Sequence, residues 1–312
     1  MKNLKECPIC LNKDIKLLLK QKDKNLGIPG EFSLYECSNC RGIFLNPQPS
    51  AKESEKFYPK REYYSLDKIK TNDNSMKTRI KLKLFRIYFS EGKNIIDNIF
   101  FSPIKFIARG TLVKKGIKLL DIGSGSGQFL YEMKQFGMDV YGIEPGKFDE
   151  EGDKKYNLNI KKGDLKSTKY KKEYFDLITI NHVLEHLINP NETLLEIKKI
   201  LKKNGTLIIG VPNTNSLAKI IYGKNWYQFD IPRHVINYSE KNLSFILNKN
   251  GFKVKNIRYN SRPSQFSVSL MYLLNIKSRT MEKLFNIIFL PLTWIVNSLK
   301  TGDQIEVLCE KK

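Results

Sequence analysis

Ile117-Lys118-Leu119-Leu120-Asp121-Ile122-Gly123-Ser124-Gly125-Ser126-Gly127 decides the fold: a short apolar run ends in an acid and enters three alternating glycines. The next residues, 128–136, place Phe129, Leu130, Met133 and Phe136 at helical spacing, and Gly137 marks the stop. A strand, a glycine turn and a helix in this order let backbone and carboxylate close on a small ligand at the carboxyl edge of a parallel sheet. The dinucleotide form, G-x-G-x-x-G, would need its third glycine at 128, where Gln128 stands; Gly127 comes one residue early. Nicotinamide binding is therefore the lesser reading.

The pattern hydrophobic-hydrophobic-Asp-x-Gly-x-Gly-x-Gly resembles motif I of the class I S-adenosylmethionine (SAM)-dependent methyltransferases. Further contacts should then appear at the ends of successive strands. Asp139–Glu144 reads as the second strand, and Glu144 lies 17 residues past Gly127, where a carboxylate can accept ribose hydroxyls. Residues 159–165 read as the third, with Gly163-Asp164-Leu165 offering an acid and an apolar residue to an adenine. Residues 174–181 read as the fourth, followed by His182-Val183-Leu184-Glu185-His186-Leu187. Asn189, Pro190 and Glu192 predict a capped helix start with a back-bonding carboxylate; Leu194, Ile197 and Leu201 form its stripe, Gly205 stops it, and 206–211 is the fifth strand.

This run, with the later Asp230-Ile231-Pro232-Arg233-His234, resembles the ubiquinone-biosynthesis-like branch of the same enzymes, and its motifs keep family order from 118 to the C-terminus. The resemblance implies an α/β, Rossmann-like doubly wound seven-stranded mixed sheet, with Phe252–Tyr259 and Gln304–Lys311 as its last strands. It implies SAM as cofactor, held by Asp121, Gly123, Ser124, Gly125, Gly127, Glu144, Asp164, Leu165, Asn181 and His182.

Cys7-Pro8-Ile9-Cys10 and Cys37-Ser38-Asn39-Cys40 are two C-x-x-C pairs, with Cys309 left over. Four such thiolates suit one structural tetrahedral Zn²⁺; two disulfides or free buried thiols are the alternatives. Nothing at the N-terminus reads as a secretory peptide, which favours a reducing, cytoplasmic setting and hence zinc. Arg41 stands where such knuckles often carry Gly, predicting a less regular second turn. A closed four-thiolate site offers no open position for catalysis.

The 312 residues, 41% hydrophobic, suffice for a full α/β core plus a small metal-dependent module. The expected division is a zinc-ribbon module and irregular connector over 1–59, a basic helical segment over 60–116, and a catalytic domain over 117–312 with an apolar helical insertion at 268–300. Net charge is +22, and residues 60–118 carry 15 basic against 5 acidic residues. Such a surface attracts phosphates of nucleic acid, anionic lipid or nucleotide- and lipid-linked sugars; solvated helix faces of a lysine-rich chain read the same way. Two apolar stretches, 80–86 with 94–108 and 284–296, the latter interrupted by Pro291, fall short of the roughly 18 uninterrupted residues that span a bilayer. Peripheral membrane contact at the inner face, a substrate lid and a dimer contact all fit them; no oligomeric state follows.

SAM chemistry asks the protein mainly to align acceptor and methyl, worth roughly 7–11 kcal/mol, with a general base adding about 10²–10⁴-fold for a hydroxyl acceptor. Only His182, His186 and His234 are available. His234 is the preferred base, with Asp230 or Arg233 orienting it or binding an acidic substrate; His186 is the second choice, with core packing as its alternative. His182-x-x-Glu185-His186 also resembles the acidic metal motif of some ubiquinone-pathway enzymes, but no further ligand is evident from sequence.

No Asn/Asp-Pro-Pro-Tyr follows the fourth strand, which disfavours base amines, and no cysteine lies near the pocket, which disfavours pyrimidine C5 attack. Hydroxyl methylation remains, with C-methylation of a keto-sugar as a variant. A zinc-knuckle N-terminus on this core looks like enzymes of surface-polysaccharide and deoxysugar biosynthesis, implying a glycan or small-molecule acceptor. An RNA methyltransferase and a non-catalytic zinc-ribbon adaptor are the rival readings.

Overall fold

The computed structural model describes residues 1–58, 68–70 and 115–312. Nearly all of the expected basic segment 60–116, including its apolar stretches, lies outside the described residues.

The N-terminal part runs β1 (Ile15–Gln21), β2 (Phe32–Cys37), β3 (Ile43–Leu45) and a short α1 (Ala51–Ser54). The C-terminal part begins with β4 (Lys118–Ile122), α2 (Gln128–Gln135), β5 (Asp139–Glu144), α3 (Glu150–Tyr156) and β6 (Ile160–Lys162). It continues through β7 (Phe175–Asn181), α4 (Pro190–Ile200), β8 (Leu201–Pro212), α5 (Leu217–Tyr222), β9 (Ile236–Asn237) and α6 (Glu240–Lys249). β10 (Phe252–Tyr259), α7 (Ser264–Leu274), α8 (Arg279–Ile288), α9 (Leu290–Ser298) and β11 (Gln304–Lys311) complete it.

Seven strands form the expected mixed sheet in the order β10-β11-β8-β7-β4-β5-β6, with β11 antiparallel to both of its neighbours and the remaining pairs parallel. Strand order reverses at β4, which puts the switch point at the glycine turn. β4 is buried on both faces, as a central parallel strand must be: Leu120 and Ile122 join one core, Leu119 the other. α2 covers the second face with Phe129, Leu130 and Met133.

Several local expectations need correction. α4 ends at Ile200, five residues before Gly205, because β8 takes over at Leu201 and pairs with Phe175. Asn189 sits at the N-cap of α4 without a side-chain cap bond, and Glu192 pairs with Lys166 instead of turning back. The third strand is only Ile160–Lys162, since Gly163 turns the chain at φ +127°. The connector is not wholly irregular: Ile43–Leu45 is a strand.

That strand has a larger consequence. β1, β2 and β3 form a four-stranded sheet whose last member is β9, with Ile43 opposite Asn237 and Phe44 opposite Ile236. Ile43 and Leu45 pack with Leu34, Trp226, Phe229 and Ile231, whereas Phe44 faces the core that holds Ile122 and Leu184. The cysteines Cys7, Cys37 and Cys40 belong to this latter core. The N-terminal ribbon is thus welded to the C-terminal part through a continuous sheet and a common interior.

Thermal unfolding should accordingly be a single calorimetric transition. Leu34→Ala, at a fully buried position, should shift all of it, costing about 2–5 kcal/mol. Two separate endotherms with only one displaced would contradict a shared core.

Candidate functional site

At the carboxyl edge of β4, Gly123, Gly125 and Gly127 all adopt left-handed φ, at +74°, +56° and +86°. Side chains would also collide at two of them: a Cβ on Gly123 would meet Val183 Cγ2 at 2.3 Å, and one on Gly127 would meet Ile160 Cδ1 at 2.8 Å. Gly125 faces open space, with nothing within 4 Å of its Cβ position. The turn therefore seals against its neighbours at both ends and leaves a hollow in the middle.

Glu144 closes one side of that hollow. Its buried carboxylate accepts from Gly125 N and Gly146 N, each at 2.8 Å. Burial raises its pKa, opposed by these two backbone bonds. Each oxygen keeps acceptor capacity beyond the one bond it makes. Asp121 is fully buried within β4 and accepts from Thr179 Oγ1 at 2.6 Å. Ser124 turns its hydroxyl inward, 2.9 Å from where Gly142 would carry a Cβ. Asp164 is exposed after β6 and accepts from Ser167 N, which lowers its pKa; the adjacent Leu165 is partly buried on the core. Asn181 ends β7 with its side-chain oxygen against Gly210. His182 takes φ +54° and donates its N–H to Gly210 O at 2.9 Å.

Beyond β7 the three histidines converge on one carboxylate. Glu185 has no exposed surface; its Oε1 lies 3.2 Å from His182 Nδ1 and 4.0 Å from His234 Nε2. Burial opposes its charge, but the His182 bond and the surrounding imidazoles hold it well below the usual carboxylate range. Its Oε2 finds no hydrogen-bond partner among the described residues. The rings of His186 and His234 meet edge to face at 4.8 Å. Burial, then the charge of His234, push His186 down to about 4, so it is neutral at pH 7; its Nδ1 lies 3.0 Å from Arg233 O and 2.9 Å from Tyr58 Oη. Glu185, His186 and His234 offer ligand atoms within 4.8 Å of one another. His234 is the third member that the sequence string could not supply.

His234 itself is buried, and its Nδ1 lies 2.7 Å from the Gln228 carbonyl. That bond requires a proton on Nδ1 and places Nε2 3.9 Å from Asp230 Oδ2 and 4.0 Å from Glu185 Oε1. Arg233 is fully committed: its guanidinium grips Asp23 at 2.8 and 2.9 Å and Asp230 at 2.7 and 3.0 Å, with 4% of the side chain exposed. It is therefore a brace and has no free face for an acidic substrate. Asp23, in the β1–β2 loop, also accepts from the backbone of Asn25, Leu26 and Ile28. Burial opposes ionisation of Asp230, but Arg233 holds its pKa at about 2.

Sequence reading missed Asp23, Tyr58 and Asp303. Asp303 precedes β11, opposite the end of β8, and is 1% exposed. Trp226 Nε1 donates to its Oδ2 at 3.4 Å, and burial raises its pKa to about 7. An acid immediately before an antiparallel strand that returns to the carboxyl edge was the available signal.

Cys7, Cys10, Cys37 and Cys40 carry Sγ atoms within 4.8 Å of one another, with Cys7–Cys40 at 3.6 Å and Cys10–Cys37 at 3.5 Å. Disulfides are absent among the described residues. Tetrahedral zinc with Zn–S of about 2.3 Å needs sulfur–sulfur edges of about 3.8 Å, so the four thiols fit it. The two knuckles match: Leu11 N donates to Cys7 O at 2.9 Å and Arg41 N to Cys37 O at 3.0 Å, with φ +66° and +58°. The irregular second turn expected from Arg41 does not occur.

A family profile described as a methyltransferase domain matches residues 98–257, just over half of the chain. The ubiquinone biosynthesis O-methyltransferase of Pelagibacter ubique is 30% identical over 171 residues, covering 46% of this chain and 71% of that one. An uncharacterised Methanocaldococcus jannaschii protein is 32% identical over 128 residues, 40% of this chain and 54% of its own length. Among solved structures, a SAM-dependent methyltransferase from Archaeoglobus fulgidus aligns with a TM-score of 0.44 at 25% identity, covering 74% and 99% of the two chains.

Asp303 generates a pH signature. Its folded pKa of about 7 exceeds the unfolded value of about 3.9, so the folded state binds the extra proton between them. Its contribution is full below pH ~4 and is lost as pH rises through ~7, at most about 4 kcal/mol. Asp303→Asn, which mimics the neutral acid, should exceed the parent's stability by about 1–2 kcal/mol near pH 5 and by about 4 kcal/mol at pH 8.5. Urea unfolding at the two pH values reads this, and an equal difference at both would contradict it.

Proposed function

Because the chain belongs to the methyltransferase-domain family, as a class I SAM-dependent methyltransferase, we propose that it methylates a hydroxyl oxygen of a sugar, nucleotide sugar or lipid-linked glycan. The observation that carries the oxygen assignment is the placement of His234: Nδ1 lies 2.7 Å from the Gln228 carbonyl, and Nε2 stands between two carboxylates.

Bound SAM supplies an electrophilic methyl on a sulfonium. The hollow at Gly125 admits its adenosyl part against main chain, and Glu144 accepts the ribose hydroxyls with the lone pairs that its backbone bonds leave over. Gly123, Gly127 and Ser124 contribute by shaping the turn, Asp121 by anchoring it to β7. Asp164, Leu165, Asn181 and His182 line the remaining strand ends. On the acceptor side, His234 Nε2 takes the hydroxyl proton, and Glu185 and Asp230 stabilise the imidazolium so formed. Arg233 keeps Asp230 ionised and in place. Neutral His186 packs against the His234 ring and holds the Arg233 carbonyl. The four cysteines hold a structural Zn²⁺ that takes no part in the chemistry.

The hydroxyl preference rests on a base with matched charge partners, which C-methylation of an acidic carbon needs less. The glycan class rests on the absent base-amine and thiolate motifs and on the ribbon-plus-core arrangement.

Glu144→Ala should weaken SAM binding by about 1–3 kcal/mol through lost charged hydrogen bonds. Isothermal titration returning the parental affinity would refute the ribose assignment. His234→Ala should keep SAM affinity and lower turnover by about 10²–10⁴-fold. The acceptor for that assay comes from mass spectrometry of a labelled methyl group after incubation with host extract fractions. Full turnover by the variant would move the base elsewhere.

A further inference from the structure

The helical unit between β10 and β11, with α5 beside it, has an interior and an exterior of opposite kinds. Inside, Phe266 packs on Tyr222 and Phe289, and Val296 joins the same core. Outside, α8 buries no residue, and Leu284, Ile287 and Ile288 recur at the i, i+3, i+4 spacing of one stripe. α9 continues with exposed Trp294 and Ile295. Eleven of the 17 exposed large hydrophobic side chains among the described residues lie on α5, α7, α8, α9 and the residue after α9. Scattered apolar residues need no explanation, but a concentration of this kind marks a contact surface.

Charge selects the occupant. From residue 262 to 300 there are five basic residues and one acid, Glu282. Lys277, Arg279, Lys283 and Lys300 are exposed, and none forms an ion pair among the described residues. A second copy would bring the same cations against these, and an apolar stripe has nothing to offer a nucleic acid backbone. An apolar face rimmed by lysine and arginine, with a tryptophan at its edge, matches an anionic bilayer surface. No helix of the described residues is long and apolar enough to cross a membrane, so the contact is peripheral.

We propose that α8 and α9 dock this protein on anionic lipid, with the histidine cluster held close to the headgroup layer. The connection to the cluster is short. Ser264 and Ser269 of α7 meet Tyr227 Oη at 3.2 Å and Tyr227 N at 3.1 Å, and Tyr227 begins the loop that carries Asp230 and His234. A bilayer under α8 and α9 thus adjoins the acceptor side of the site. The docking stands without the assignment of any acceptor.

Trp294 provides the readout, because the other tryptophan, Trp226, is 1% exposed. The full-length, zinc-loaded protein is mixed with phosphatidylcholine vesicles made with and without phosphatidylglycerol. Co-sedimentation and a blue shift of Trp294 emission are expected with the anionic vesicles, at least about tenfold tighter than with neutral ones and weakened by salt. Ile287→Glu with Ile288→Glu should abolish binding, and Lys277→Glu with Lys283→Glu should weaken it by about tenfold, both with parental SAM affinity as the control for folding. Failure to bind either vesicle would overturn the proposal. So would a concentration-dependent blue shift and dimer in sedimentation without lipid, which would make a second copy the occupant.

Discussion

A carboxylate taken wholly out of water costs several kcal/mol unless charge and hydrogen bonds replace its hydration. Glu185 is such a group: its Oε1 meets His182 on its own turn at 3.2 Å, the His234 ring stands 4.0 Å away on a loop some 50 residues later, and its Oε2 has no hydrogen-bond partner among the described residues. Its backbone takes part too, since Val235 N donates to Glu185 O at 2.8 Å. Moving either loop would strand the charge. The gathering of every histidine in the chain at one point follows from this constraint, and so does the position of β9, which starts one residue after Val235.

The ribbon gains a role from the same arrangement. A module of this size buries too little to stand alone, and here it borrows strand β9, the core beneath Cys7 and Cys40, and the doubly bonded Arg233–Asp23 pair. Each link ends within a few residues of His234. Buried ion pairs of this kind are weak sources of stability, and both oxygens of Asp23 are hydrogen-bonded.

Features carried by local pattern are legible in the amino-acid sequence alone. β5 has the bounds its apolar run suggests, and β10 and β11 have those the family resemblance implies. Features carried by distant partners are not. Ile43–Leu45 is too short to show alternation and becomes a strand only because β2 and β9 flank it. Polar Lys202, Lys203 and Asn204 disguise the early start of β8, which pairing with Phe175 imposes. Pro291 falls inside the apolar stretch 284–296 and opens a second helix there, where its missing N–H costs nothing. At the site, the glycine turn and Glu144 announce themselves by spacing; Asp23 and Asp303 do not, because their significance is burial beside Arg233 and Trp226.

The pairing of β3 with β9 also sets a timetable for biosynthesis. The ribosome releases the cysteine knuckles first, yet the strand that completes their sheet emerges almost 200 residues later. Long-range pairings of this kind form late, since chain closure must precede the contacts that reward it. Until Asn237 has left the exit tunnel, the nascent ribbon presents β3 as an open edge, and an early-emerging, unfinished sheet is where a chaperone would find its earliest foothold.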